Sequence, residues 1–239
     1  MTELLYQTDS YLKEFSATVQ SVNAESRAVV LDRTAFYPGG GGQPCDFGTL
    51  EIGGVQFPVE KVKKQGDDVL HFLGGTEPLP APGAASNGTL DWVRRYKLMR
   101  THTALHVLCG TVYRDYGAKV TGGDMEPLKG RMDFEFETMR GELVREIEDK
   151  VNAEVEKNHE IRVNILPREE AFQIPDLIRT KINLLPEGIM QVRTVEIVGL
   201  DLQADGGTHV KNTSEVGTIK VVEYKSKGAI NKRIYIEVQ

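Results

Sequence analysis

Two histidine clusters, far apart in the chain, most constrain how this sequence can fold. His102 and His106 lie four residues apart in a stretch with the pattern of a helix. Positions i and i+4 of a helix share nearly the same face, so these two imidazoles can bind one metal ion. The second cluster, Asp-Gly-Gly-Thr-His at residues 205–209, is a turn that ends in histidine. A metal shared by both clusters requires a fold that brings residues 102–106 and 205–209 together.

Each cluster alone also has an ordinary structural explanation. An H-x-x-x-H spacing arises often by chance, and histidines are common both in cores and on surfaces. Asp-Gly-Gly-Thr-His can be a tight turn, because glycine adopts positive φ and Asp or Thr caps the backbone. The conjunction is more specific than either part, since the chain has five histidines and three of them fall in these clusters.

Composition limits the class of protein. The 239 residues are 40% hydrophobic and 27% charged, which is typical of a soluble globular protein with one large or two small domains. No apolar run is long enough to cross a membrane, and the N-terminus lacks a secretory pattern. Cys45 and Cys109 form no C-x-x-C motif, so we expect a reducing, cytoplasmic location without disulfides.

Residues 1–88 are predicted to form a small β-barrel domain. Short alternating segments are separated by turn residues, as in barrels built from short strands. A stretch rich in Pro, Gly and Ala at residues 78–88 predicts a domain boundary or an extended connection. The predicted strands of this domain are residues 15–22, 28–31, 49–52 and 55–59.

Residues 89–239 are predicted to form a second domain, of α+β type, with helices covering one side of a sheet. The clearest amphipathic helix is residues 139–158, where Leu143, Ile147, Val151 and Val155 repeat every four residues. A short helix is expected to begin at Pro167. The other predicted elements are a helix at 94–113 and strands at 132–137, 191–198, 217–224 and 233–238.

The net charge of −6 argues against a protein that coats nucleic acid non-specifically, but it permits a local basic patch. One basic group leads directly into the H-x-x-x-H helix, and another lies near the end of the sequence. The ordinary explanation for such groups is a solvated surface. The residues that we predict to contact RNA phosphates are Arg94, Arg95, Lys97, Arg100, Lys227, Lys232 and Arg233.

A glycine loop follows a predicted strand at residues 34–44. Gly39, Gly40, Gly41 and Gly42 are consecutive, and a backbone without side chains can approach a ligand closely. The loop is not a P-loop, because no Lys-Ser/Thr follows. It is not a dinucleotide fingerprint either, because Pro44 stands where the third glycine belongs. A flexible hairpin tip is the structural alternative.

The three motifs together resemble one family. T-x-F-Y-x-x-x-G-G-Q, H-x-x-x-H and G-G-T-H occur in this order in the editing region of alanyl-tRNA synthetases and in the freestanding alanyl-tRNA editing proteins. Threonyl-tRNA synthetase editing domains share the later two motifs. The strand at residues 191–197 and the segment 210–217 also match. The resemblance extends over nearly the full length of the chain, and we expect a medium-length freestanding form without the aminoacylation domain of the synthetase.

The resemblance implies both a fold and a reaction. The fold is a small β-barrel followed by an α/β editing domain with one zinc ion per chain. The reaction is hydrolysis, in trans, of the ester bond of tRNA(Ala) mischarged with serine or glycine. By resemblance, His102, His106, position 205 and His209 are the four zinc-ligand positions.

Position 205 departs from the family pattern. Relatives most often have Cys there, whereas this chain has Asp205. A carboxylate is an acceptable zinc ligand and supplies a negative charge, as a thiolate would. Alternatively, three histidines hold the zinc, and Asp205 orients one of these ligands without binding the metal itself. The departure also motivates a competing hypothesis, a non-catalytic module that binds tRNA or an aminoacyl group at a degenerate metal site.

Hydrolysis of an activated ester needs a positioned water and a stabilised oxyanion. The sequence leaves open whether zinc anchors the substrate amino group or polarises that water. By resemblance, Thr34 and Gln43 are the candidates for recognising the serine hydroxyl, which alanine lacks. Thr34 as an ordinary strand-end residue is the alternative. A zinc-dependent hydrolase of small amino-acid esters, with no RNA partner, is the other competing function.

Overall fold

The structure is a computed structural model that describes residues 1–178 and 188–239. The chain divides into two compact units, Met1–Tyr96 and Lys97–Gln239. The sequence predicts a division after residue 88. The division between the compact units instead falls after Tyr96, because a barrel strand runs through residue 88 and Arg95 is buried within the first unit.

The first unit is built around a closed six-stranded barrel with the strand order β2-β3-β7-β6-β5-β8. Two short strands, β1 and β4, pair in parallel beside it. The bounds are β1 Glu3–Leu4, β2 Glu14–Asn23, β3 Ala28–Leu31, β4 Arg33–Thr34, β5 Gly48–Ile52, β6 Val55–Gln65, β7 Asp68–Leu73 and β8 Ala85–Leu90.

Alternation of side chains explains the barrel. In β2, Phe15, Ala17 and Val19 are buried while the residues between them are exposed. Successive residues of a strand point to opposite faces, so one set fills the interior and the other meets water. The predicted barrel is confirmed. Residues 85–88, predicted to be part of a connection, instead belong to β8, whose pairing with β2 and β5 closes the barrel.

The second unit combines helices with two antiparallel sheets. The sheets have the strand orders β14-β15-β10-β9 and β11-β12-β13. The helices are α1 Trp92–Tyr116, which begins in the first unit, α2 Gly141–Glu156 and α3 Arg168–Ala171. The strands are β9 Val120–Glu126, β10 Lys129–Glu135, β11 Ile161–Pro167, β12 Gln191–Ile197, β13 Asp201–Ala204, β14 Ile219–Ser226 and β15 Asn231–Val238.

Helix α2 packs against β14 through its apolar face. Val144, Ile147 and Val151 are buried along it, so Val144 rather than the predicted Leu143 begins the buried stripe. The Asn152 amide fixes the helix to the strand, since it donates to the Ile219 carbonyl and accepts from the Ile219 N–H. The α+β character of this unit is confirmed.

Candidate metal centre

Helix α1 presents two histidines on one face. The His102 and His106 ring centroids lie 4.9 Å apart, and both side chains are buried. Their neighbours Leu105, Val107 and Leu108 are also buried, so this helix is enclosed by protein on several sides. A helix buried in this way holds its histidines in a fixed direction.

The turn after β13 brings the second cluster to the same place. The Asp205 carboxylate accepts from the Gly207 N–H at 2.8 Å, which fixes the turn. The same carboxylate lies 3.0 Å from Nε2 of His209. The His209 ring stacks on that of His102 with a centroid separation of 4.2 Å. The predicted convergence of the two motifs is therefore observed.

The four side chains form a set that fits a metal ion. One donor atom from each of His102, His106, Asp205 and His209 can be chosen so that all lie within 4.8 Å of one another. Three imidazoles and one carboxylate suit zinc and related divalent ions. In the part of the chain that the structure describes, the buried Nδ1 of His102 has no hydrogen-bond partner, which is costly unless the site binds a ligand.

Electrostatics favour the metal-binding protonation states of three of the four side chains. For His106, burial lowers the pKa, but the nearby Asp201 and Asp205 outweigh burial and raise it above its usual value. Burial lowers the pKa of His209 to about 4, despite the opposing effect of Asp205. Burial also holds the pKa of His102 well below its usual value. Burial opposes ionisation of Asp205, yet the neighbouring His102 and His209 keep its pKa well below its usual range. Neutral imidazoles and an ionised carboxylate are the forms that bind a cation.

Three further residues contact the ligand set from outside, and sequence reasoning assigned them no role. The Thr103 hydroxyl lies 3.1 Å from Nδ1 of His209. Arg193 donates to the Asp205 carbonyl at 2.9 Å. The Asp201 carboxylate lies 3.7 Å from Nδ1 of His106. Thr103 and Arg193 stand within quoted motifs, whereas no motif pointed to Asp201.

The glycine loop lies in the first unit and has a defined conformation. Gly39, Gly40, Gly41 and Gly42 all have φ between 58° and 140°, which a residue with a side chain rarely adopts. Gly40 exchanges two main-chain hydrogen bonds with Gln43. The Gly40 carbonyl also accepts from the Tyr37 hydroxyl at 3.0 Å. These bonds give the loop its own internal order.

The two predicted selectivity residues are buried in the first unit. Gln43 is 2% exposed, and Thr34 is fully enclosed. Oγ1 of Thr34 accepts from the Phe36 N–H and lies 2.8 Å from Nε2 of His71. Burial lowers the pKa of His71 to about 4, against the opposing effect of the carbonyls of Val29 and Val69. The His71 ring is therefore neutral at pH 7.

The structure contradicts the prediction that Arg95 contacts RNA. Its guanidinium is fully buried and donates to both carboxylate oxygens of Asp46. It also donates to the main-chain carbonyls of Ser10 and Ala35. A guanidinium enclosed in this way has no surface to offer a phosphate. Arg95 instead anchors the first unit internally.

Lys232 is also buried, contrary to the prediction of an RNA contact, because Nζ donates to the carbonyls of Gly228 and Ala229. Arg233 forms two hydrogen bonds with the Asp133 carboxylate, at 2.6 and 2.7 Å.

The remaining predicted cations keep some exposure. Lys227 is exposed, and Lys97 is half-buried. The half-buried Arg94 donates to the Cys45 carbonyl, with its guanidinium 4.2 Å from the Phe47 ring centroid. Arg100 donates to the carbonyls of Val216 and Gln239.

Within residues 1–178 and 188–239, no helix is long and apolar enough to cross a membrane.

Two sequence profiles match this chain. Residues 192–235 match the threonyl and alanyl tRNA synthetase second additional domain. Residues 5–94 match the class II (A) tRNA synthetases. The first match contains Asp205 and His209, and the second contains the glycine loop.

Curated proteins resemble the chain from end to end. Alanyl-tRNA editing protein AlaX-M of Saccharolobus solfataricus is 41% identical over 241 residues, covering 100% of both chains. AlaX-M of Methanosarcina mazei is 40% identical, covering 100% of this chain and 97% of that protein. The alanine–tRNA ligase of Ignicoccus hospitalis is 37% identical over 92% of this chain but only 24% of the ligase. The similarity to the first two proteins thus includes both compact units.

Proposed function

This chain belongs to the family of alanyl-tRNA editing proteins, and on that premise we propose that it hydrolyses tRNA(Ala) mischarged with serine, and also with glycine. The observation that carries the proposal is the His3Asp cluster with its three buried histidines, formed in a chain that matches whole editing proteins. Water adds to the ester carbonyl, and the bond to the ribose oxygen breaks. The ribose oxygen takes up a proton from the attacking water, so the products are the free amino acid and tRNA(Ala).

The metal that we propose is a single zinc ion held by His102, His106, Asp205 and His209. Bound there, zinc would supply Lewis-acid chemistry, either to anchor the substrate amino group or to polarise a water beside the ester carbonyl. The negative charge of Asp205 would offset one of the two positive charges of the zinc ion. The buried histidines limit the access of bulk water, which strengthens electrostatic interactions at the ester.

Selectivity for serine is assigned to the glycine-loop unit. Thr34 and Gln43 are proposed to distinguish serine from alanine. Both side chains are buried, so the Thr34 hydroxyl, which is oriented by its contacts with His71 and Phe36, must become accessible when substrate binds. A site built to hydrogen-bond a hydroxyl discriminates strongly against an analogue that lacks it. Glycine has no hydroxyl, so its acceptance rests on its small size.

RNA contacts are proposed for the predicted cations that the structure leaves at least partly exposed. The candidates are Arg94, Lys97, Arg100, Lys227 and Arg233. Removal of one phosphate-binding cation should flatten the dependence of binding on salt by about one unit of slope. Lys97→Gln and Lys227→Gln test this through tRNA affinity across a salt series. An unchanged slope would assign these lysines to solvent.

The decisive experiment is deacylation of Ser-tRNA(Ala), Gly-tRNA(Ala) and Ala-tRNA(Ala) by the purified chain, with its zinc content measured on the same preparation. We expect about one zinc per chain, loss of serine and glycine, and retention of alanine. Chelation should abolish the activity, and added zinc should restore it. A zinc-loaded protein that spares all three charged tRNAs but cleaves free seryl esters would indicate the small-ester hydrolase. A metal-free protein that binds tRNA without hydrolysis would indicate the binding module.

A further inference from the structure

A buried carboxylate lies behind one of the candidate metal ligands without belonging to the ligand set. Asp201 begins β13, its side chain is 1% exposed, and Oδ2 lies 3.7 Å from Nδ1 of His106. Nδ1 of His106 makes no hydrogen bond of ordinary length with the residues that the structure describes, and the Asp201 carboxylate lies beside it. A carboxylate removed from water in this way requires compensating interactions.

Helix α1 carries a glycine at the place where Asp201 approaches. Gly110 follows His106 by four residues and therefore lies on the same helix face. A Cβ atom added to Gly110 would lie 2.8 Å from Cβ of Asp201 and 3.1 Å from Cγ of Leu200. Even alanine would force β13 away from the helix. Glycine is unfavourable in a helix interior, but at position 110 its lack of a side chain allows the Asp201 carboxylate to approach helix α1.

A neighbouring side chain fixes the orientation of the carboxylate. The Gln203 amide donates to Oδ2 of Asp201 and contacts Sγ of Cys109 at 3.3 Å. Cys109 belongs to α1 and Gln203 to β13, so this amide bridges the same two elements that Gly110 allows to meet. Gly110 and Gln203 therefore both support the position of Asp201 beside His106.

We propose that Asp201 is a positioning residue, which holds the proton of His106 on Nδ1 and so leaves the lone pair of Nε2 for the metal. A neutral imidazole carries one proton, and a carboxylate beside one nitrogen favours N–H at that nitrogen. Carboxylates that orient metal-binding histidines in this manner raise the basicity of the coordinating nitrogen. The inference rests on the metal site of the proposed function but concerns metal affinity, which can be measured without tRNA.

The test is Zn²⁺ affinity, measured by competition with a chromophoric chelator on the full chain. Asp201→Asn keeps the shape and removes the charge, and we expect affinity to fall about 10- to 100-fold. Gly110→Ala keeps the carboxylate but displaces it, so affinity should fall in the same direction. Glu160→Gln, which removes an exposed carboxylate paired with Arg162, is the matched control and should leave affinity unchanged. Parental affinity in both Asp201→Asn and Gly110→Ala would overturn the inference.

A measurement on the parent protein covers the case in which a variant fails to fold. Long-range ¹H–¹⁵N correlation spectra of the Zn²⁺-loaded chain report which nitrogen of each histidine carries the proton. We expect the proton of His106 on Nδ1, and a proton on Nε2 would overturn the inference. A chain that binds zinc in this way yet leaves Ser-tRNA(Ala) intact would refute the proposed function alone.

Discussion

Each compact unit contains a buried polar cluster, and the two clusters differ in what completes them. In the first unit, Arg95 and Asp46 satisfy each other and the surrounding main chain. In the second unit, no described residue forms a hydrogen bond with the buried Nδ1 of His102, although Asp205 lies among the rings. A cluster complete in itself contributes stability, whereas an incomplete one is built to receive something from outside.

The largest expected effect comes from breaking the incomplete cluster. His102→Ala or His209→Ala should abolish zinc binding and lower the rate of Ser-tRNA(Ala) deacylation about a thousandfold or more, because Lewis-acid stabilisation is lost. Metal analysis and single-turnover kinetics check both outcomes. His159→Gln, which changes a histidine outside the cluster, should keep the zinc. Full activity in a zinc-free His102→Ala protein would remove the metal from the mechanism.

Breaking the complete cluster should instead cost stability. Arg95→Met leaves the Asp46 carboxylate buried and unpaired, so the free energy of unfolding should fall by about 3–5 kcal/mol. Zinc content should stay at the parental value. Urea denaturation measures the loss. The double variant Arg95→Met/Asp46→Leu should be more stable than Arg95→Met alone, because it removes the stranded charge. Equal stability of Arg95→Met and the parent would contradict this role.

The buried His71 should make stability depend on pH. Its pKa of about 4 lies below the unfolded value of 6.5, so the folded protein binds fewer protons between these pH values. The contribution of neutral His71 to the free energy of unfolding is fully present above pH 6.5. It falls by about 3 kcal/mol as the pH drops toward 4. Urea denaturation at several pH values gives the free energy of unfolding, which should change less steeply with pH for His71→Gln than for the parent. Identical slopes would mean that His71 is protonated in the fold.

The smallest expected effect concerns selectivity. Thr34→Val removes the hydroxyl, so hydrolysis of Ala-tRNA(Ala) should rise relative to Ser-tRNA(Ala), by about tenfold in the ratio of kcat/KM. Thr34→Ser keeps a hydroxyl and should retain most of the parental ratio. Both substrates must be measured on the same zinc-loaded preparation. An unchanged ratio in Thr34→Val would make Thr34 a purely structural residue.

The sequence predicted the parts of the fold that depend on local patterns. Alternation identified the barrel, and the spacing of His102 and His106 on a helix identified half of the ligand set. The Asp205–His209 turn was recognisable because its glycines and caps are local signals. Several strands were missed, among them β9, which contains two glycines, and β13, which has only four residues.

Partnerships between distant residues could not be predicted in the same way. Arg95 stands among other basic residues, and the sequence gives no sign that Asp46 lies against it. Asp201 likewise approaches His106 only because Gly110 leaves room, a relation that depends on three separate elements of sequence. Burial and pairing of charge are properties of the folded chain, so a cluster of basic residues resembles a solvated surface until the fold is known.

The distance along the chain between the two halves of the candidate metal centre bears on how the protein is made. During synthesis, the helix with His102 and His106 leaves the ribosome while the turn with Asp205 and His209 is still untranslated. A metal captured early would have only two protein ligands and would exchange readily. Secure loading of a metal is therefore a late event, and a chain whose synthesis stops before residue 209 lacks a complete site.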